Sequence, residues 1–469
     1  MFDRRSFLAG ATLGGMIAFP EMARPASADI FRPENFGARG DGRTNDTAAF
    51  HTLSNHVNKR GGGTIELGRG KTYVVGRQVR NGRRYFLSPL PIMRFERLRF
   101  PLLISGNGAT LLAEPGLKFG IFDEKTLRPL QSALPNFRPN GIAAPYDAMI
   151  WISDCLAPIQ VRDVELDGNC EQMTIGGGYG DTGHQLPGSG VILTDNLSDE
   201  RLESVYTHHH PLDGMIINGS EERKGRGNFD DLTVRNNGRQ GVSIVGGTSY
   251  CFSNCEFSQT GRSDISSRPG AGVDIEAEGK RIRDVAFRSC SFSANSGPGL
   301  LADQGDSAAI TCSDCIFIGT TSWSAWPNKP RMHFKRCKFV GALARPFASA
   351  DPELATQFDR CIFRDDPGLA PDGNVFLNNK TGAGPIVDMG GNAGTNILFN
   401  RCIFHLTHLG RLPWSWKAIY VDSVMSQASK ETGYPRGQYR GRNVIRGRVD
   451  LYSSSISGEL IVNGRHVTR

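Results

Sequence analysis

Apolar residues recur at every second position in short runs along this chain, and the runs themselves recur. Five of them open on glycine: Gly190-Val-Ile-Leu-Thr194, Gly214-Met-Ile-Ile-Asn218, Gly241-Val-Ser-Ile-Val245, Gly272-Val-Asp-Ile-Glu276 and Gly299-Leu-Leu-Ala-Asp303. Their glycines stand 24, 27, 31 and 27 residues apart. One supersecondary unit is therefore repeated with loops of varying length, which is the signature of a solenoid. A second beat runs between these, a polar residue followed by Cys-x-Phe. It occurs at Asn254, Ser289, Asp314, Arg336, Arg360 and Arg401, whose cysteines are Cys255, Cys290, Cys315, Cys337, Cys361 and Cys402. Cysteine and phenylalanine two apart share one face of a strand. Stacking such units about 4.8 Å apart predicts an internal sulfur column beside a column of rings. A spacing of two excludes a helical reading.

The opening of the chain follows other patterns. Asp3-Arg4-Arg5-Ser6-Phe7-Leu8, a short apolar stretch ending before Pro20, and Ala26-Ser27-Ala28 read as a twin-arginine export signal with its cleavage site. The apolar stretch is too short for a membrane span. This predicts a periplasmic or secreted protein. Thr44-Asn45-Asp46-Thr47 supplies helix-capping side chains, and Ala48, Ala49, Phe50, Leu53 and Val57 predict an amphipathic helix stopped by Gly61-Gly-Gly63. Strands follow at residues 64–67 and 72–75. A helix across the open end of a solenoid would cap its core.

Composition changes this picture little. There are 54 Lys and Arg against 47 Asp and Glu, a net charge of +7. This mild excess favours an anionic partner, and no basic or aromatic-interleaved patch argues for nucleic acid. Six of the ten cysteines sit at one repeat position, so they read as a buried free-thiol ladder. Cys155 and Cys170, outside the ladder, are open to disulfide pairing. No spacing suggests zinc.

The string Phe36-Gly-Ala-Arg-Gly-Asp-Gly42, then Asn45-Asp-Thr-Ala48, Gly61-Gly-Gly-Thr-Ile65, Gly70 and Tyr73 resembles the pectate lyase superfamily. It is most similar to the rhamnogalacturonase/epimerase-like branch, although Gly68 stands where that branch often has proline. The resemblance implies an all-β fold, a right-handed parallel β-helix with a short N-terminal capping helix. It leaves the reaction open among hydrolases, lyases, epimerases and tailspike-like depolymerases. The expected organisation is signal 1–28, cap and first strands 29–76, first rungs with long loops or an insertion 77–150, β-helix core 151–405, and C-terminal rungs with a cap 406–469.

Aligning the five glycine strands places candidate chemistry. Side chains two and four residues after each glycine should face outward, which clusters Asp274, Glu276 and Asp303 on one exposed face, with Glu278 beyond. Paired carboxylates suit glycoside hydrolysis, one giving a proton and the other activating water or attacking carbon. Like charges held together separate acid and base roles. The same three residues could instead hold Ca²⁺ in a lyase; a hydrolase requires no cofactor. The bland alternative is a solvated strand face. His208-His209-His210 and Asp213 precede the Gly214 strand. They read either as members of a polar turn ladder with Asn236, Asn237 and Asn295, or as acid and base beside a groove. His184 is a weaker member of that group, and Asp167 reads as a turn residue.

The expected catalytic set is thus Asp274, Glu276, Asp303, Asp213 and His210. The expected substrate-binding set is Asn218, Arg239, Arg268, His208 and Ser243, with arginine clamping a substrate carboxylate or pairing with Asp264 or Glu278 instead. No Gly-His-Gly and no Asp-Pro-His motif occurs, which sets the chain apart from polygalacturonases and alginate epimerases. The function expected is an exported polysaccharide-active enzyme of glycoside hydrolase type. The alternatives are a uronate lyase or epimerase, and a non-catalytic glycan-binding or envelope scaffold.

Overall fold

Alternation of this kind needs a structure in which every strand buries one side, and parallel coiling provides it. The computed structural model describes residues 29–78, 89–138, 141–378, 384–391 and 393–468. Residues 1–28, expected to form an export signal, lie outside the described residues. Thirty-three strands join one hydrogen-bonded system. Its pairings are parallel except where Ser455–Val462 meets Arg465–His466 at the C-terminal end.

The strands form three ladders. The first face runs in register from Met93–Glu96 through Ala148–Ser153, Ser189–Thr194, Asp213–Asn218 and the start of Gln240–Ser253. It continues through Val273–Ile275 and Leu300–Ala302 to Ala325–Pro327. Leu102–Ala113, Ile159–Asp167 and Glu200–His208 each turn a corner, their first halves lying on the second face, which continues through Gly227–Asp230 and the end of Gln240–Ser253, and their second halves on the third. The third stacks the Cys-x-Phe strands, from Glu256–Ser258 to Val424–Gln427. Leu102–Ala113, in the region expected to hold first rungs with long loops, pairs with Ile159–Asp167 on one side and with Gly63–Glu66 and Thr72–Val75 on the other.

Two ring columns fill the core. Phe257, Phe292, Phe317, Phe339, Phe363 and Phe404 stack with centroids 4.5 to 5.1 Å apart. A second column runs through Phe252 and Phe287, then Phe334, Phe358, Phe399, Tyr420 and Tyr439. Cys312 takes the place of a ring between Phe287 and Phe334. The six ladder cysteines are buried free thiols whose Sγ donates to carbonyls of the preceding rung, as Cys315 does to Phe287 O at 3.5 Å. The residue before each is left-handed, from Asn254 at φ 56° to Arg401 at φ 53°. The repeated motif is thus a one-residue corner that turns the chain between two faces. Cys155 and Cys170 are also buried free thiols, which corrects the expectation that they could pair.

The capping helix spans Thr47–Arg60 and buries Phe50, Leu53 and Val57. Gly61 ends it in the left-handed conformation, at φ 79°, as expected of a C-terminal glycine. Asp46 does not cap the helix with its side chain. Its carboxylate accepts from Arg39 N and Gly40 N at 2.8 and 3.0 Å, fixing the loop that precedes the helix. At the other end, residues 449–451 form no strand beyond an isolated bridge at Val449; the terminal rungs are Ser415–Val421, Pro435–Arg446 and Ser455–Val462.

Candidate active site

On the first face the outward row reads Arg94, Trp151, Ile192, Ile216, Ser243, Asp274, Leu301 and Trp326, one residue per rung. The two tryptophans are six rung steps apart, roughly 29 Å at the usual strand spacing. Each lies under a guanidinium, Arg94 at 5.3 Å and Arg345 at 5.1 Å. Between these rings the row turns polar at Ser243 and Asp274.

Asp274 lies within the ladder, paired between Ser243 and Leu301, and is only 5% exposed. It was expected to be exposed, but the outward direction here is covered. Burial pushes its carboxyl up to about 8, helped by Glu276 and opposed by Arg239. Gln240 holds it: Nε2 donates to Asp274 Oδ2 at 2.7 Å, while Gln240 Oε1 accepts from Ala271 N at 2.9 Å. That second bond fixes which end of the amide faces the acid. Since Oδ2 accepts from Gln240, the proton of the neutral acid belongs on Oδ1.

Glu276 follows just beyond the end of Val273–Ile275 and is half-buried. Burial raises its carboxyl, as does Glu278, while Arg239 and Lys329 pull the other way and Asp303 adds a smaller push upward. Asp303 thus stands close enough to act on Glu276, and its Oδ1 accepts from Asn328 Nδ2 at 2.8 Å. Lys329, depressed mainly by burial, donates to Gly305 O at 2.8 Å. Asp274, Glu276 and Asp303 therefore do come together, as the repeat alignment required.

Asp213 does something other than acid–base work. Its side chain is fully buried and saturated. It accepts from Arg239 Nε at 2.9 Å and Nη2 at 2.5 Å, from Ser243 Oγ at 2.8 Å and from Gln240 N at 3.2 Å. Arg239 and Ser243, expected to meet substrate, are thus bound to Asp213. Burial opposes the charge on Arg239, but its pairing with Asp213 prevails and raises it. Neither Asp264 nor Glu278 is its ion-pair partner. Asn218 lies on the same face with its Oδ1 buried and unpartnered. A bulge after Ile217 sets Asn218 opposite Gly246, so Val245 drops out of the expected column.

Three expected residues lie elsewhere. His210 is fully buried in the core, with Nδ1 2.7 Å from Tyr146 Oη and Nε2 3.1 Å from Leu166 O. Burial pushes it well below the usual imidazole range. Its backbone N donates to Asn237 Oδ1, and Thr260 N to Asn295 Oδ1, so the asparagine turn ladder is real and the catalytic role expected of His210 is not available to it. His208 ends Glu200–His208 in the half that continues into the Cys-x-Phe ladder on the third face, where Nε2 meets Glu165 Oε1 at 3.1 Å. Arg268 is exposed in the loop before the Gly272 strand, and its carbonyl accepts from Thr182 Oγ1 at 3.2 Å. His184 is half-buried, with Nε2 3.2 Å from Gly176 O.

The alignment missed four contributors. Gln240 pairs in register with Asp213, so extending the glycine alignment back by one residue would have found it. Trp151 and Trp326 belong to strands that lack the leading glycine. Asp147, at the edge of Ala148–Ser153, is raised by burial to about 6, with Arg94 opposing. Nothing in the sequence around it marked that acid.

Comparison with known proteins agrees with this architecture. Residues 213–321 match the family model described as a right handed beta helix region. This chain is a right-handed parallel β-helix. The expected fold, a right-handed β-helix, is thus the one that this match supports. A curated relative, "Depolymerase 1, capsule KN3-specific" of Klebsiella phage KN3-1, is 23% identical over 361 residues, covering 67% of this chain. The chain matches only 39% of that relative's length. Among solved structures, the A-module of the mannuronan C-5 epimerase AlgE4 from Azotobacter vinelandii is 13% identical with a TM-score of 0.45, covering 94% of this chain and 99% of that one. An exopolygalacturonase from Thermotoga maritima is 12% identical with a TM-score of 0.36, covering 94% and 93%. Among the described residues no helix is long and apolar enough to cross a membrane.

Proposed function

We propose that this chain is an exported polysaccharide-active enzyme that hydrolyses glycosidic bonds on the face centred on Asp274 and Glu276. One observation carries the reading: a buried, proton-holding Asp274 stands two residues from a half-exposed Glu276. Asp274 Oδ1–H is the general acid, giving its proton to the glycosidic oxygen as the bond to carbon breaks. Glu276, with Asp303 beside it, supplies the carboxylate that activates water or attacks carbon. Asp213 acts as a positioning residue that holds Arg239 and Ser243. The tryptophans at the two ends of the row offer flat stacking surfaces for sugar rings. The name of the phage relative, a capsule depolymerase, supports a polysaccharide substrate. Export rests on the twin-arginine pattern at the N-terminus.

The alternative reaction, β-elimination with Ca²⁺ on the three carboxylates, draws less support, because Asp274 is only 5% exposed and its Oδ2 is already held by Gln240 Nε2. The test is incubation of the mature protein with acidic and neutral polysaccharides, following new reducing ends and ultraviolet absorbance of unsaturated uronates. Reducing ends without absorbance, abolished by Glu276→Gln, are expected. Absorbance would replace hydrolysis by elimination. Binding without any product would make the chain a scaffold.

A further inference from the structure

The histidines that left the carboxylate face form a second group on the neighbouring one. Asp167 and His208 are register partners on adjacent rungs. His209 follows in the left-handed conformation, φ 51°, which turns its ring back beside that of His208. Gly168 N donates to His208 O and Cys170 N to His209 O, at 2.9 and 3.0 Å. A Cβ on Gly168 would lie 2.4 Å from His209 O, so glycine is what lets the two segments approach. Asp167, His208 and His209 each then offer one ligand atom, all within 4.8 Å of one another.

The outer contacts of the two rings are matched. His208 Nε2 lies 3.1 Å from Glu165 Oε1, and Glu165 Oε2 is itself held by Thr110 Oγ1 at 2.7 Å. His209 Nε2 lies 3.4 Å from Glu171 Oε1. A carboxylate at Nε2 fixes the hydrogen there and leaves the lone pair on Nδ1. Yet the two Nδ1 atoms face each other at 2.6 Å, with Asp167 Oδ1 3.7 Å from that of His208. Two lone pairs so placed repel unless a cation or a shared proton lies between them. The neighbouring charges favour a cation. Three carboxylates surround the pair, and the one cation in register, Arg235 opposite His208, donates to Gln259 Oε1 at 2.8 Å and lies 3.4 Å from Glu256.

We propose that His208 Nδ1, His209 Nδ1 and Asp167 bind a divalent transition ion of the Zn²⁺, Co²⁺ and Ni²⁺ class. Glu165 and Glu171 orient the two imidazoles from behind. Imidazole selects such ions over Ca²⁺ and Mg²⁺. Two nitrogens and a carboxylate leave the fourth tetrahedral position to water. With metal–nitrogen bonds of about 2.0 Å, the rings need open by only roughly 0.7 Å. The ion would tie the 165–171 segment to the turn of the next rung, on a different face from Asp274 and Glu276. The proposal is therefore independent of the hydrolytic reading.

The test uses untagged, chelator-stripped full-length mature protein titrated with Co²⁺, read by its visible d–d bands, then displaced with Zn²⁺. One Co²⁺ per chain is expected, displaced by Zn²⁺ and unaffected by excess Ca²⁺. His209→Ala, at a half-buried position that tolerates truncation, should abolish the bands. Glu165→Gln should weaken binding about 10- to 100-fold, as loss of an orienting carboxylate does. His405→Ala, at an exposed histidine on another strand, should leave the titration unchanged. No stoichiometric binding by folded protein would overturn the site in favour of a shared proton, and binding that survives His209→Ala would overturn the ligand set.

Discussion

Asp274→Asn separates the acid's effect on stability from its effect on catalysis, and the structure sets the size of the first. The Asp274 carboxyl is pushed from 3.8 up to about 8 in the folded chain, chiefly by burial. Between those two values the folded protein keeps a proton that the unfolded chain has released. Stability from this group is therefore complete below about pH 4 and declines as pH rises, until the folded acid ionises near pH 8. The slope is about 1.4 kcal/mol per pH unit, so roughly 2.7 kcal/mol is lost between pH 5 and 7, with an upper bound of about 6 kcal/mol over the whole window. Asparagine does not titrate, and its Oδ1 can still accept from Gln240. Relative to the wild type, Asp274→Asn should thus gain about 2.7 kcal/mol between pH 5 and 7, measured from urea midpoints at each pH. Every other carboxylate titrates in both proteins and cancels. The same variant should lose about 10²- to 10⁴-fold in kcat below about pH 8, where the wild-type acid keeps its proton, while KM holds. A stability difference that stays constant from pH 5 to 8 would refute the buried-acid argument, whatever happened to activity.

Two other substitutions probe the frame around the site. Arg239→Ala strands the fully buried Asp213 carboxylate without its cation and should cost about 3–5 kcal/mol in urea unfolding. It should also move the alkaline limb of activity to higher pH, since Arg239 holds Asp274 down; a limb that stays in place would refute that coupling. Phe317, fully buried between Phe292 at 4.5 Å and Phe339 at 5.0 Å, should cost about 3–5 kcal/mol when cut to alanine. Because each rung touches only its neighbours, hydrogen exchange should accelerate first in strands 291–293, 316–318 and 338–340. Uniform acceleration along the chain would contradict a rung-by-rung structure.

How much was legible follows from which features repeat. The Cys-x-Phe beat specifies side-chain direction six times over, so the column of rings could be read from it directly. The left-handed corner could not, because Asn, Ser, Asp and Arg all fill it and only backbone geometry reveals the shared turn. On the first face, period-two spacing carried Asp274, Glu276 and Asp303 to one place. It failed at Val245, where a bulge shifts the count by one. Asp213 and His210 were misread for a common reason. Both lie at the corner entering Asp213–Asn218, where alternation no longer says which way a side chain points: His210 turns into the core, while Asp213 is covered by Arg239 and Ser243. His208 and His209 were read with them as one turn, although the corner sets them on the preceding face.

The acids of this β-helix also distinguish a site from a solvated surface. Several outward carboxylates here pair with an arginine and remain open to solvent. Asp314 pairs with Arg336, Asp306 with Arg283, and Glu221 with Arg281. Such exposed pairs contribute little and keep the surface soluble. Asp213 is the buried version, matched by Arg239. Asp274 belongs to neither class, since its direct partner is the Gln240 amide, and it stays buried by holding its proton. The next rung places Leu301 in the same column, so an apolar side chain fits the row without the desolvation cost. What an acid there adds is a proton held near neutral pH, beside a second carboxylate that solvent can reach. The two environments differ because the strand Val273–Ile275 ends between the two residues, which leaves Asp274 inside the ladder and Glu276 outside it.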